Sequence, residues 1–270
     1  FWRITKNLAP RDFAPAPGPR VVAVIPARNE AAVIGEALQS LRAQTFAVVV
    51  VDDSSEDETA SIARAAGGEV LRAPAPPAGW TGKLWALSLG VKEALKLNPD
   101  YLLFTDADIR HEPQNVASLV SLAEARHLDL CSYMVKLCCD TWAEKAFIPA
   151  FVYFFFTLYP PAWAGGAAGG CLLIRPQALA KIGGLGAIRG EIIDDCALAK
   201  AVKARGGRIW LGLTTTAASI RSYGGIGGVR GMIARNAFSQ LCHSTLLLAG
   251  TAAGLLITYV LPVGLTLFAS

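Results

Sequence analysis

Short apolar runs punctuate the first half of the chain, and a segment of different period follows each of them. Residues 21–25 form the first, a strand-length run that Pro26 should stop because proline has no N–H for a ladder. Val33, Ile34, Ala37, Leu38 and Leu41 then recur at helical spacing, with Asn29 placed to cap that helix. Residues 48–51 are apolar throughout, as in a parallel strand covered on both faces. Ser55 and Glu58 have capping-box spacing before a second helix, which Gly67 and Gly68 close. Residues 70–71 give a short strand, and the Pro/Gly loop APAPPAGWTG follows. Leu84, Leu87, Val91 and Leu95 mark one face of a helix over 83–97. Residues 101–105 are the next strand, Pro113 opens another helix, and 128–135 reads as a further strand. Strand alternating with helix four times predicts an α/β fold with a largely parallel sheet and helices on both faces. In such a sheet, ligands bind at the carboxyl ends of the strands, where Asp52, Asp53, Asp106 and Asp108 stand.

Composition changes the picture in one respect. Of the 270 residues, 53% are hydrophobic and 17% charged, against about 45–50% and about 25% in a typical soluble domain. The excess is local: neither 146–174 nor 246–270 contains a charged side chain. We therefore expect four parts: a juxtamembrane segment (1–20), the main domain (21–243), an apolar interfacial stretch within it (146–174), and a transmembrane helix (244–270). The last is long enough for a span of about 20 residues. Arg221, Arg230 and Arg235 precede it and place that side in the cytoplasm. A single span through 146–174 is excluded, because it would put Asp108 and Asp195 on opposite sides of the bilayer. Phe1 at the start and an apolar run at the end suggest a piece of a longer membrane protein.

The net charge of +4 is mild, and no zinc-finger spacing or base-stacking motif points to nucleic acid. The six cysteines form no C-x-x-C pair and read as buried, reduced thiols. There is no G-x-G-x-x-G after the first strand, no G-x-x-x-x-G-K-[ST] and no G-x-S-x-G. A Rossmann dehydrogenase, a P-loop NTPase and an α/β-hydrolase are thereby disfavoured.

The chemistry lies in YLLFTDADIR. Asp106 and Asp108 have one residue between them at a strand end, so in extended backbone they point the same way. Two like charges there raise one another's pKa unless a positive group holds them. A hard divalent cation, Mg²⁺ or Mn²⁺, takes one or two carboxylates and completes its shell with phosphate oxygens and water. A metal-bound diphosphate is therefore the expected partner. Asp194 and Asp195 open another helix, where carboxylates are electrostatically favoured. His111 is close enough to touch a metal or phosphate, although a satisfied core histidine is the plainer reading.

The blocks VVAVIPARNEAAVIGEALQSL, VVVVDDSSEDET, GKLWALSLG, FTDADI and IDDCALAKAVKARGG occur in the order seen in family 2 glycosyltransferases of the GT-A fold, over roughly 21–211. Closer in, GWTGKLWAL, GEIIDDCALA and the arginines that follow resemble the bacterial hopene-associated glycosyltransferases. The resemblance implies a GT-A catalytic domain on the cytoplasmic side of the bacterial inner membrane. It would move one sugar, with inversion, from a UDP-sugar to a lipid acceptor in hopanoid metabolism. It also implies roles for individual residues. Asp52 and Asp53 would meet the uracil and ribose, while Pro26, Arg28 and Glu30 line the nucleotide pocket. Lys83 lies near the phosphates, Asp106 and Asp108 hold the metal, and Asp195, with Asp194 beside it, supplies the base. The family has Glu-Asp where this chain has Asp194-Asp195, which leaves the acting acid open. The absence of Q-x-x-R-W argues for transfer of a single sugar. Two other readings compete. A sugar nucleotidyltransferase would need a Gly-rich, Arg-containing loop after the first strand, and PARNEAAV lacks it. A non-catalytic scaffold should have lost its acids, and all three pairs are present.

Overall fold

β1 (Val21–Ala27) is the centre of a sheet whose residues alternate between two apolar cores. Val21, Ala23 and Ile25 pack on one side against Ile34, Leu38 and Leu41 of α1 (Ile34–Arg42). Val22 and Val24 pack on the other against Leu84, Leu87 and Val91 of α3 (Gly82–Leu95). A strand buried on both faces needs apolar residues at every position, which is why these runs are continuous rather than alternating. The structure, a computed structural model, describes residues 18–159, 166–241 and 244–268.

Around β1 lie β2 (Ala47–Asp52), β3 (Glu69–Arg72) and β4 (Tyr101–Phe104), all parallel. α2 (Thr59–Ala65) connects β2 to β3. Beyond β4 the sheet becomes mixed. β5 (Ile109–His111) and α4 (Asn115–Arg126) lead to β6 (Leu130–Lys136), and α5 (Trp142–Leu158) leads towards β7 (Leu172–Ile174). α6 (Pro176–Lys181), a 3₁₀ turn (Leu185–Ile188) and α7 (Asp194–Ala204) precede β8 (Ile209–Ser219). Among the described residues the order across the sheet is β3-β2-β1-β4-β7-β6-β8-β5. β7 runs antiparallel to both β4 and β6, so residues 169–171 meet the end of β4. α8 (Ile226–Gln240) follows β8 and packs against α5.

Several local expectations are corrected by tertiary partners. Pro26 does not stop β1, which runs to Ala27 in register with Asp52. Val24 accepts a bond from Thr105 N–H on the β4 side. Pro26, two residues on, faces that same side beyond the last residue of β4, so its missing N–H costs no ladder bond. Asn29 does not cap α1, whose first turn is preceded by Val33. It adopts a positive φ of 55°, takes the Glu56 N–H on its Oδ1, and donates its own N–H to Ser55 Oγ. Ser55 is thereby committed to Asn29, and α2 begins at Thr59 without a side-chain cap.

The expected transmembrane helix over 244–270 is not found. Thr245–Phe268 is divided into α9 (Thr245–Leu255), a π-helical segment (Leu256–Val260) and α10 (Leu261–Phe268). No helix among the described residues is long and apolar enough to cross a membrane. Leu246, Leu256, Ile257, Val260 and Leu265 are exposed along this stretch. The apolar stretch 146–174 contributes the rest of α5, with Ile148 and Phe156 buried and Phe147, Tyr153 and Phe154 exposed, and then β7. Its residues 160–165 lie outside the described residues, as do 1–17, 242–243 and 269–270.

Gly90 decides how closely α3 approaches the sheet. A Cβ built there would stand 2.4 Å from Val24 Cγ1 and 2.9 Å from Val51 Cγ2. Both neighbours are buried and β-branched, so neither side chain can swing away. Gly90→Ala gains about 1 kcal/mol of helix propensity, but forcing a methyl into a filled core costs about 1–3 kcal/mol. Sterics should win, and urea denaturation should show a less stable variant; an equal or more stable Gly90→Ala contradicts this packing.

Candidate active site

The carboxyl ends of β1, β2 and β4 open onto a cleft of about 360 Å³, lined by Pro26, Arg28, Glu30, Asp53, Lys83, Asp106, Asp108 and Arg221. Lys83 enters it from the first turn of α3, which Thr81 caps through the Leu84 N–H. Its Nζ lies 3.0 Å from Asp106 Oδ1 and 3.6 Å from Asp194 Oδ2. Partial desolvation opposes the charge on this ammonium, but Asp106 and then Asp194 outweigh it, so its pKa stands above the ordinary lysine range. One cation thus joins the strand-end acid to the acid that opens α7.

Asp195, next along α7, is oriented by two backbone donors. Its Oδ2 accepts from Gly169 N–H at 2.7 Å and its Oδ1 from Cys196 N–H at 2.7 Å. Desolvation and the neighbouring Asp194 push its pKa up to about 6, while Lys83 and the two N–H groups pull the other way. A carboxylate with that value is ionised at neutral pH yet still a useful proton acceptor. Gly169 lies beside both groups: a Cβ there would be in ordinary van der Waals contact, 3.4 Å from Asp195 Oδ2 and 3.7 Å from Lys83 Nζ.

Asp108 sits at the other side of the cleft. Ser219 donates to its Oδ2 at 2.8 Å, and Arg221 Nε is 3.8 Å away. Burial raises its pKa, and Asp106 adds to the rise. Arg221 also pairs with Glu30. The positive charge beside the two aspartates is therefore Lys83 at Asp106 and Arg221 at Asp108. Arg221 enters the sequence reading only as a topology signal, and nothing local marks it, because β8 brings it to the cleft. Asp53 Oδ2 is 3.9 Å from Arg28, and Gly82 lies so close that a Cβ would be 2.6 Å from the same oxygen.

Two expected participants stand apart. Asp52 is buried, takes the Ser55 N–H on its Oδ1 at 3.1 Å, and does not line the cleft, so its carboxylate shapes a turn. His111 is buried in a hydrogen-bonded core cluster with Thr105 and Asn115, as in the plainer reading. Cys131, Cys171 and Cys196 are buried free thiols, Cys138 and Cys139 are partly exposed, and Cys242 lies outside the described residues.

Among the described residues no three acids, histidines or cysteines cluster as a complete metal cage. The donor chemistry still suits Mg²⁺ or Mn²⁺. Asp106 and Asp108 offer two hard oxygen ligands at an open cleft, and such ions take their other ligands from phosphate and water.

The Asp195 shift has a consequence for stability. Its folded-state value, about 6, lies above the ordinary 3.8. Between these values the native state holds a proton that the unfolded chain has lost, so this carboxyl makes stability fall as pH rises from about 4 to about 6. Wild type should therefore lose stability relative to Asp195→Asn across that window, as read by urea denaturation at several pH values. A constant difference, or one of opposite slope, contradicts the desolvated placement.

Comparison with known proteins agrees with this fold. A 4,4'-diaponeurosporenoate glycosyltransferase of Staphylococcus haemolyticus is 36% identical over 107 residues, which is 38% of this chain and 28% of that protein. The chain spans less than half the length of the curated relatives it resembles. A mannosyltransferase of Pyrobaculum calidifontis, in complex with GDP-Man and Mn²⁺, has a TM-score of 0.58 at 21% identity, covering 83% of this chain and 64% of its own. Glucosyl-3-phosphoglycerate synthase of Mycobacterium tuberculosis, in complex with Mn²⁺ and UDP-glucose, has a TM-score of 0.52 at 20% identity, covering 80% and 77%. These two likenesses establish the mixed α/β GT-A architecture. The description "Glycosyl transferase family 2" matches residues 22–183, more than half of the sequence, and the chain belongs to that family.

Proposed function

We propose that the protein is an inverting glycosyltransferase that moves one sugar from a nucleoside-diphosphate sugar, with UDP as the nucleotide, to an apolar lipid acceptor. The observation that carries this reading is the Lys83 bridge: it joins Asp106, which lines the cleft with Asp108, to Asp194, which with Asp195 lines an adjoining pocket that shares Pro26, Lys83 and Asp106 with that cleft. Arg28, Glu30 and Asp53 form the wall suited to the nucleoside. Asp106 and Asp108 would hold Mg²⁺ or Mn²⁺, which when bound supplies positive charge to the diphosphate. The two neighbours bound to Mn²⁺ and a nucleotide sugar support this donor class.

Asp195 accepts the proton of the acceptor hydroxyl on Oδ1 or Oδ2, as its raised pKa favours. The freed oxygen attacks the anomeric carbon from the side opposite the diphosphate, whose bond to that carbon breaks with its electron pair. Configuration inverts in this single displacement. Lys83 keeps Asp194 and Asp106 from repelling one another and presents its ammonium towards the leaving group. Asp194 is the orienting acid, because its carboxylate is committed to Lys83.

The lipid acceptor rests on exposed apolar surface. Phe154 of α5 meets Tyr259 of the C-terminal helical stretch edge-on, ring centroids 6.3 Å apart, and leucines of α9, Leu246 and Leu247 among them, are exposed. Apolar surface of this extent suits contact with a membrane face and its lipids. A place on the cytoplasmic side and a hopanoid acceptor are the narrower assignments that the sequence resemblance suggests.

Purified protein with Mn²⁺ should hydrolyse or transfer sugar from a UDP-sugar in a panel of UDP- and GDP-sugars. It should also float with phospholipid vesicles. Loss of a general base costs about 10²–10⁴ in rate, so Asp195→Asn should fold, bind UDP and turn over at least about 100-fold more slowly, with Asp194→Asn milder. Near-normal turnover by Asp195→Asn with a dead Asp194→Asn reverses the two roles. Full activity in both variants refutes the mechanism, and failure to float removes the membrane part.

A further inference from the structure

Behind the site lies a chain of buried polar groups that the mechanism does not use. Asn115 Oδ1 accepts from Thr216 Oγ1 at 2.7 Å, which turns its amide nitrogen towards His111 Nδ1 at 2.9 Å. The same nitrogen also reaches Cys171 Sγ at 3.4 Å. With Nδ1 accepting, the ring proton is on Nε2, 3.0 Å from Thr105 Oγ1. The Thr105 hydroxyl then points its own proton at the Gly170 carbonyl, 2.8 Å away. The bonds thus run in one direction from Thr216 to Gly170, and His111, Asn115 and Thr105 are all at least 98% buried. Burial alone holds the imidazole neutral, with its pKa near 4, as this direction of bonds requires.

The far end of the chain is the active site. Gly170 follows Gly169, whose N–H is the donor to Asp195 Oδ2. The peptide before them is pinned as well, because Ala168 N–H donates to Ser132 Oγ at 3.2 Å. Glycines at 169 and 170 have no side chains to hold the backbone in place. A Cβ at 170 would stand 3.0 Å from Val135, so this segment is close-fitting but bound mainly by its hydrogen bonds. Thr105 itself immediately precedes Asp106.

We propose that His111 is a positioning residue: through the Thr105 hydroxyl it holds the Gly170 carbonyl, and thereby fixes the Gly169 N–H that orients Asp195. One buried imidazole thus keeps the strand-end aspartates and the helix-start base in a common register. The reasoning rests on the reading of Asp195 as the base. If the relay is cut, Gly170 loses its partner, the glycine pair relaxes, and the Asp195 carboxylate loses a donor to its charged form. The charged and titratable groups that face Asp195 are Asp194, Lys83 and Cys196, and none of them is altered by that change.

The test is the titration of the Asp195 carboxyl carbon by NMR in ¹³C-aspartate-labelled protein, assigned by its loss in Asp195→Asn. Thr105→Val keeps shape but removes the hydroxyl, and His111→Leu removes the ring. Both should raise the Asp195 midpoint by about one pH unit, the order expected when a charged group loses one hydrogen bond. Thr105→Ser should restore the wild-type value, and the double variant should shift no further than either single one. A folded Thr105→Val with an unmoved midpoint overturns the proposal, and this variant decides alone if His111→Leu does not fold. Turnover separates the two claims: a normal rate in Asp195→Asn removes the base assignment whatever the NMR midpoints show.

Discussion

A single ammonium group among carboxylates organises this molecule. Asp106 ends a strand of the sheet, and Asp194 and Asp195 begin a helix far along the chain. Without Lys83 these acids would repel one another across a partly dry cleft. The cation lies 3.0 Å from Asp106 and 3.6 Å from Asp194, which converts repulsion into attraction. It can do so because α3 brings its N-terminal turn to the sheet edge. That approach depends on small residues: Gly82 beside Asp53, and Gly90 against Val24 and Val51.

Electrostatics then divides the labour between neighbouring acids. Asp194 faces the ammonium directly. Asp195 accepts from two backbone N–H groups, while desolvation and the neighbouring Asp194 push its pKa up to about 6. Asp108 is likewise raised by burial, with Ser219 and Arg221 beside it. Two acids of identical chemistry and adjacent position can thus have different jobs, because each meets a different set of donors. Arg221 and Lys83 already give the cleft positive charge at both strand-end aspartates, the electrostatics expected of a site that receives a diphosphate.

The sequence exposes some of this and hides the rest for physical reasons. β1, β2 and β4 are legible because burial on both faces demands unbroken apolar runs. The strand-end position of Asp106 and Asp108 follows from that reading. Lys83 is legible only through the resemblance to a family, since a lysine at a helix start is unremarkable by itself. Asn29 and Ser55 mislead because each has helix-cap chemistry yet finds a better partner in the other's loop. Pro26 misleads because whether its missing N–H matters depends on where β4 ends. β5, β7 and β8 escape notice: two are only three residues long, and all gain their identity from strands distant in sequence. Gly169 and Arg221 reach the site through that pairing. The C-terminal apolar run promises a spanning helix on composition alone, and the structure divides it into shorter helical pieces.

The central claim is that this cleft binds a nucleoside diphosphate together with a divalent cation on Asp106 and Asp108. Calorimetric titration of UDP in Mn²⁺ and in EDTA tests it most directly. The account predicts that chelation weakens UDP binding at least about tenfold, a loss of about 1.4 kcal/mol, and that Asp108→Ala abolishes the difference between the two conditions. Equal UDP affinity of the wild-type protein in Mn²⁺ and in EDTA would contradict it.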